Sequence, residues 1–346
     1  MMEKIFIRAK NNPILRPDPH SPWQSGQVYN AGALFENKEY HLFYRAVGEA
    51  WVSKIGYAKS TDGENFICES KPLFGLETEI EKNGAEDPRV SRVGENYYLT
   101  YNAYDGDTAR LCSAISGDLK TWARQGEMIP DWDAGKAKSF SVSWDSAHNK
   151  STHRDKWVKS GAIFPQLING RFYMLFGDRN IWLASSDDGR RWAPVWEPFV
   201  KPRPGFFDGI HVEAGPPPIK TDKGWIMLYH GINNNIVYHL GLILLDANDP
   251  TKIIHRSVKP VFEPEMSYEL SGLVDILPGG KVAMETMAEE ELKQYVEKAK
   301  NDNTMPSVIF CCGAVVVGDI LRIYYGASDT VICTATAKLG DILEAK

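Results

Sequence analysis

The feature that most constrains this chain is a short pattern that occurs five times. A turn is followed by five residues dominated by aromatic and aliphatic side chains: Tyr40–Tyr44, Tyr97–Tyr101, Phe172–Phe176, Trp225–Tyr229 and Leu321–Tyr325. The turns are polar or contain glycine, as in Glu36-Asn37-Lys38, Asn169-Gly170 and Gly318-Asp319. Ahead of each turn lies another apolar segment, such as Ala31–Phe35 or Gly313–Val317. Two apolar runs around a tight turn read as a β-hairpin. After three of the copies come Ser60–Phe66, Ser116–Trp122 and Ser186–Trp192, each with a Ser, an Asp and a closing aromatic. These read as turns between a third and a fourth strand. Five four-stranded sheets predict an all-β fold, a five-bladed β-propeller. An irregular β-sandwich is the competing arrangement. The copies are unevenly spaced, so the longer gaps must hold insertions. Residues Glu285 to Asn303, rich in Glu, Lys and Ala, read as a short amphipathic helix inserted between the last two blades. The whole chain, residues 1–346, is expected to form one propeller domain.

Composition agrees with short strands and many turns. The 346 residues include 10 Trp, 15 Tyr and 14 Phe beside 29 Gly and 20 Pro. Most of those rings pack cores, but aromatic faces also suit the C–H faces of pyranose sugars. The net charge is −6 with no Lys/Arg cluster, which argues against nucleic acid and anionic membranes as partners. No apolar run approaches the roughly 18 residues of a membrane helix. The first ten residues lack the apolar stretch of a signal peptide, so a cytoplasmic location is expected. The five cysteines (Cys68, Cys112, Cys311, Cys312 and Cys333) have no CxxC spacing and read as reduced thiols.

In a propeller the first strand of each blade lines the central channel. Residues where those strands begin then converge: Asn30, Asp87, Lys159, Glu213 and the Cys311–Cys312 pair. Arg45, Arg89, His230 and Asp329 follow strands of the same hairpins. One funnel would collect acids, bases and amides, a set suited to acid/base cleavage of a polar, neutral substrate. A carboxylate pair is what glycoside hydrolysis needs. Each residue also has an ordinary reading. Asp87 can cap a turn and pair with Arg89. His230 can be a satisfied core histidine, and Asp329 can cap the turn after Tyr325. Arg45, after an apolar strand, requires a partner. Glu213, between Val212 and a Gly-Pro bend, is harder to explain structurally. Zinc-protease, P-loop and nucleophile-elbow motifs are absent.

Several motifs in order resemble glycoside hydrolase family 130, the β-mannoside phosphorylases and β-mannosidases. They are Tyr29-Asn30-Ala31, Tyr44–Gly48, Glu86-Asp87-Pro88-Arg89, Lys159–Ile163, Ala214–Pro218, Tyr229-His230-Gly231 and Tyr324–Asp329. The resemblance implies a five-bladed propeller, inversion at the anomeric carbon, and no metal or organic cofactor. It implies that Asp87 is the general acid, acting through a sugar hydroxyl. It implies that Asn30, Arg45 and Asp329 hold the mannosyl unit, with Arg89 and His211 also among the substrate-binding residues. Family members are often homo-oligomers.

The two branches of the family differ in nucleophile. Phosphorylases use inorganic phosphate as co-substrate and need cations; hydrolases use water and need a carboxylate base. Lys159 and His230 match positions that bind phosphate. Against that, Phe176-Gly177-Asp178 stands where phosphorylases usually carry His-Arg-Pro, and Glu213 stands where they carry glycine. These site residues favour an inverting β-mannosidase that cleaves β-linked manno-oligosaccharides, β-1,2 by expectation. Asp87 would be the acid, Glu213 the base and Glu269 the reserve base. The alternative is a phosphorylase that yields mannose 1-phosphate. A non-catalytic glycan-binding propeller is the third reading.

Overall fold

The computed structural model describes residues 4–74, 76–140, 156–270 and 307–344. The helix expected over 285–303 lies outside the described residues. Strand β1 (Ile7–Arg8) precedes a first antiparallel unit of β2 (Gln27–Glu36), β3 (Glu39–Val47), β4 (Ser53–Ser60) and β5 (Ile67–Cys68). The second unit is β6 (Gly84–Val93), β7 (Asn96–Tyr104), β8 (Ala109–Ser116) and β9 (Ala123–Glu127). The third is β10 (Ala162–Ile163), β11 (Phe172–Phe176), β12 (Trp182–Ser186) and β13 (Ala193–Pro194). The fourth contains β14 (His211–Ala214), β15 (Ile219–Thr221), β16 (Gly224–Ile232), β17 (Tyr238–Leu245) and β18 (Ile253–Arg256). Both β14 and β15 pair with β16, so they form one inner strand interrupted at Gly215–Pro218, where proline cannot donate to the ladder. The fifth unit is β19 (Ile309–Val317), β20 (Ile320–Ala327) and β21 (Val331–Lys338), and β1 adds its fourth strand from the chain's N-terminal side.

The fold is all-β. By strand pairing the five units make four sheets, because the first two join through a single parallel bridge between Ser53 and Gly84. No sheet among the described residues closes on itself, so strand pairing alone does not display the expected propeller.

The aromatic runs have a simple cause. Successive side chains of a strand face opposite ways. In the middle strands both faces are buried, each in a different core. Phe43 of β3 packs with Leu99 and Tyr101 of the second unit, whereas Leu42 and Tyr44 pack with Tyr324 of the fifth. Leu175 of β11 packs with Trp225 and Tyr229, whereas Met174 and Phe176 pack with Leu111. Leu228 of β16 joins Ile323 and Tyr325, whereas Met227 and Tyr229 join the third unit. A strand buried on both faces reads as a continuous apolar run rather than an alternating one.

The Ser-Asp turns also follow one plan. The hydroxyls of Ser60, Ser116 and Ser186 donate to Asp62, Asp118 and Asp188 at 2.8, 3.0 and 3.0 Å. The same hydroxyls accept the N–H of Gly63, Leu119 and Gly189. Inner strands approach closely at two glycines. A Cβ on Gly32 would lie 2.6 Å from the Pro88 carbonyl oxygen, and one on Gly313 would lie 2.5 Å from that of Ala31.

Candidate active site

Bulges at one end of the inner strands build the site. The ladder slips between Tyr29 and Gly32 in β2, between Glu86 and Arg89 in β6, and between Cys311 and Gly313 in β19. A bulge bends the strand and re-aims a side chain. Asn30 and Asp87 sit on two of these bulges with φ of +49° and +50°, and Ser160, just before β10, has φ of +62°. Asn and Asp tolerate this region better than most residues; Ser there is strained.

Asp87 is 5 % exposed and surrounded by donors. Its Oδ1 accepts from the Asn30 amide at 2.8 Å and from Nη1 of Arg45 at 3.2 Å. Arg45 also donates to Glu86 at 2.7 Å and to the Ser53 hydroxyl at 2.9 Å, and its guanidinium lies over the Tyr29 ring. Burial alone would push the Asp87 carboxyl up. Arg45, Lys159, the Asn30 amide and Arg89 outweigh it and hold Asp87 below the usual carboxylate range. Asp329, half-buried after β20 with φ of +50°, acts electrostatically on both Tyr29 and Arg45.

Glu213, on β14, lies in a second cluster and is 2 % exposed. The Ser160 hydroxyl donates to its Oε1, and Nζ of Lys159 stands 3.3 Å from the same oxygen. Its Oε2 lies 3.5 Å from Nε2 of His211, which is 2.8 Å from Asp178 Oδ1. Lys159 is also 3.6 Å from Asp178 Oδ2. Burial opposes ionisation of Glu213, but Lys159 and His211 prevail and hold it at about 2. For His211, burial disfavours the imidazolium, yet Asp178 and Glu213 raise its pKa above the ordinary value.

Asn102 joins the two clusters. Its amide nitrogen reaches Oδ2 of Asp87 at 3.4 Å, and its carbonyl oxygen accepts the Ser160 N–H at 3.0 Å. The first four units therefore meet in one polar chain, from Arg45 through Asp87, Asn102 and Ser160 to Glu213, Lys159, His211 and Asp178. Both expected catalytic carboxylates lie in it.

His230 is fully buried, and its Nε2 accepts the Cys311 N–H at 2.8 Å, so its proton resides on Nδ1. Burial, with Arg89, His211 and Lys159 adding to it, pushes its pKa down to about 3 despite Glu213. The ring stacks on Phe310 at 3.9 Å. A neutral donor therefore stands where a phosphate-binding cation was expected.

Arg89 is 1 % exposed. It donates to the carbonyls of Gly215 and Ala214 at 2.8 Å each and to that of Asp87 at 3.1 Å. It ties β6 to β14 and serves the frame of the site. The Glu269 carboxylate lies in a different network. It accepts Nε and Nη2 of Arg8 at 2.8 and 2.9 Å, the Tyr325 hydroxyl at 2.7 Å, and the N–H groups of Glu265 and Met266. These bonds bind β1 to the fifth unit, and none reaches the Asp87 chain.

Asp178, His211 and Glu213 bring ligand-type atoms within 4.8 Å of one another, the spacing a metal ion would need. The Lys159 ammonium already stands against both carboxylates and takes the electrostatic place of a divalent ion.

The glycoside hydrolase family 130 model, described as beta-1,4-mannooligosaccharide phosphorylase, matches residues 6–287. The chain belongs to this family. Among similar proteins, a 1,2-beta-oligomannan phosphorylase of Thermoanaerobacter sp. (strain X514) is 33% identical over 346 residues, covering 97% of this chain and 98% of its own. A beta-1,2-mannobiose phosphorylase of the same organism is 33% identical over 348 residues, covering 95% and 96%. The solved structure of a beta-1,2-mannobiose phosphorylase from Listeria innocua, in complex with β-1,2-mannobiose, superposes with a TM-score of 0.75. It is 25% identical and covers 98% of each chain. A second structure comes from work on glycoside hydrolases of family 130 that target β-1,2 mannosidic linkages in Candida mannan. It has a TM-score of 0.75 and 26% identity, covering 96% of this chain and 93% of its own.

Sequence reasoning left three residues of this family 130 site without a role: Asn102, Ser160 and Asp178. Ser160 lies in the Lys159–Ile163 motif, next to the larger charge of Lys159. Asn102 had a usable signal. It is a polar residue inside an aromatic strand that is buried on both faces, and such a residue needs a partner. Asp178 was noted only for the cation it replaces.

Proposed function

We propose that this family 130 chain cleaves β-1,2-linked manno-oligosaccharides by phosphorolysis, with inversion, releasing mannose 1-phosphate. The observation that carries this reading is the pairing of Glu213 with Lys159. A carboxylate held at about 2, with both oxygens engaged, is a weak base at neutral pH, and a water nucleophile needs a base poised near the working pH. Phosphate needs none; it needs cations and donors. In this reading Lys159 supplies the charge and His230 a neutral N–H, with His211 beside them. Asn30, Arg45 and Asp329 hold the mannosyl ring. Asp87 gives its proton, through a sugar hydroxyl, to the glycosidic oxygen. A phosphate oxygen bonds to the anomeric carbon from the opposite face as the carbon–oxygen bond breaks, and the shortened sugar leaves with the proton. The full-length phosphorylase relatives support the same choice.

The hydrolytic reading keeps one specific support, the similarity to structures of family hydrolases acting on β-1,2 linkages. One assay separates the two. With β-1,2-mannobiose, products are identified with and without inorganic phosphate. Phosphate-dependent mannose 1-phosphate is expected. Equal release of free mannose without phosphate would overturn the reading.

The fold that brings these residues together is, in this reading, a five-bladed propeller forming one catalytic domain. The support is a cycle of five interface cores, joining the first unit to the second, onward to the fifth, and the fifth back to the first. A cavity of about 230 Å³ adds to it, since its lining includes Phe35, Val90, Pro165, Ile219 and Val316, from around all five inner strands. No organic cofactor is called for. A cytoplasmic location and assembly into a homo-oligomer belong to the same proposal.

A further inference from the structure

We propose that Tyr104 and Trp157 form an aromatic platform that binds the departing end of the manno-oligosaccharide; this rests on the mannoside reading above. Asn102 and Tyr104 point to the same side of β7, two residues apart, with partners Glu86 and Gly84 on β6. Asn102 holds Asp87, so Tyr104 stands one pleat beyond the acid, roughly 7 Å further along the strand. That step is comparable to one hexose unit. Trp157 precedes Lys159 by two residues, and the two rings meet edge to face, with centroids 5.9 Å apart and planes at 67°.

Their polar ends are fixed on one loop. The Trp157 indole N–H donates to the Asp107 carbonyl at 3.0 Å, and the Tyr104 hydroxyl donates to that of Gly106 at 2.8 Å. The loop is itself braced. Asp105 accepts the N–H groups of Asp107 and Thr108 at 2.9 and 2.8 Å and pairs with Arg110 at 2.5 Å. Both residues are half-buried. Rings anchored in advance lose little freedom on binding, and the C–H face of a pyranose covers the apolar area that water leaves. Asn30 and Arg45, assigned to the mannosyl unit, belong to the first unit, whereas the platform lies past Asn102 on β7 and before β10. The platform is assigned to the sugar beyond the cleaved bond.

The test is calorimetric titration of β-1,2-mannotriose and of mannose, without phosphate, into wild type, Trp157→Ala, Trp157→Phe and Tyr104→Leu. Trp157→Ala is expected to weaken mannotriose about tenfold and to leave mannose unchanged. Trp157→Phe keeps a stacking face and restores most of the loss. Tyr104→Leu, on the other ring, must show the same split between trisaccharide and monosaccharide. Wild-type mannotriose affinity in both Trp157→Ala and Tyr104→Leu overturns the platform while leaving the mannoside reading intact. No mannotriose binding by wild type overturns both.

Discussion

The ammonium of Lys159 stands 3.3 Å from Oε1 of Glu213, Lys159 lying just before β10 and Glu213 on β14. In the phosphorolytic reading this contact sets the charge of the nucleophile site. Lys159 also faces Asp178, so one cation balances two buried carboxylates while His211 bridges them. Replacing Lys159 by Met removes that charge. Phosphorolysis is expected to fall about 10²- to 10³-fold, mainly as a higher KM for phosphate. Initial rates over a phosphate series measure it, and an unchanged phosphate KM would contradict the assignment.

Asp87→Asn keeps the size of the side chain and removes the proton donor. Turnover is expected to drop on the order of 10²- to 10⁴-fold, while mannobiose binding measured by calorimetry survives. An Asn variant that cleaves at the wild-type rate would remove Asp87 from the acid role.

An acid must carry a proton, yet the cations around Asp87 hold it ionised in the ligand-free site. A phosphate dianion beside Lys159 offsets one of those cations. The Asp87 pKa then rises, so at one pH the wild type should take up more protons on phosphate binding than Asp87→Asn, in which residue 87 cannot titrate. Titrations in buffers of different ionisation enthalpy read the protons directly. Equal proton exchange by the two proteins would count against this coupling.

Arg89 is expected to matter for stability before it matters for chemistry. Arg89→Met strands three buried carbonyls on two inner strands. The cost should be about 3 kcal/mol or more, read as a lower denaturant midpoint, with activity falling in parallel. A midpoint equal to wild type would show that the staple carries no load.

The pH dependence of stability has a histidine signature. His230 is held at about 3 in the folded chain, far below the ordinary value of about 6.5. Below pH 6.5 the unfolded chain takes up a proton that the native one refuses, so stability is lost as pH falls from about 6.5 toward 3. His211 works the other way. Its folded pKa is raised, so its contribution is present at low pH and lost as pH rises through that value. His230→Gln can still accept the Cys311 N–H but does not titrate. Its Tm should fall less than that of wild type between pH 7 and 5, and parallel curves would refute the assignment.

Much of the architecture was legible in the residues themselves. The five aromatic runs name their strands because middle strands buried on both faces have no polar side to show. The Ser-Asp turns are equally local, with each hydroxyl and carboxylate bonding to its own next few residues. The bulges at Asn30 and Asp87 gave a weaker signal, since a bulge is visible only when two strands are aligned and their count disagrees. The family motifs marked Asp87, Lys159 and Glu213, but not what stands beside them.

The sequence by itself determined the five hairpins, their turns and the family, because strand periodicity and turn chemistry act over a few neighbouring residues. Only the tertiary structure decided that Arg89 faces backbone carbonyls, that Glu269 is closed by Arg8 and Tyr325, and that Asn102 and Ser160 connect Asp87 to Glu213. It also decided that Glu213 is a partner of Lys159. Charge and hydrogen bonding depend on distance in space, and most of these pairs join residues far apart in the chain. A carboxylate's role follows from the donors that surround it, and the folded chain alone supplies them.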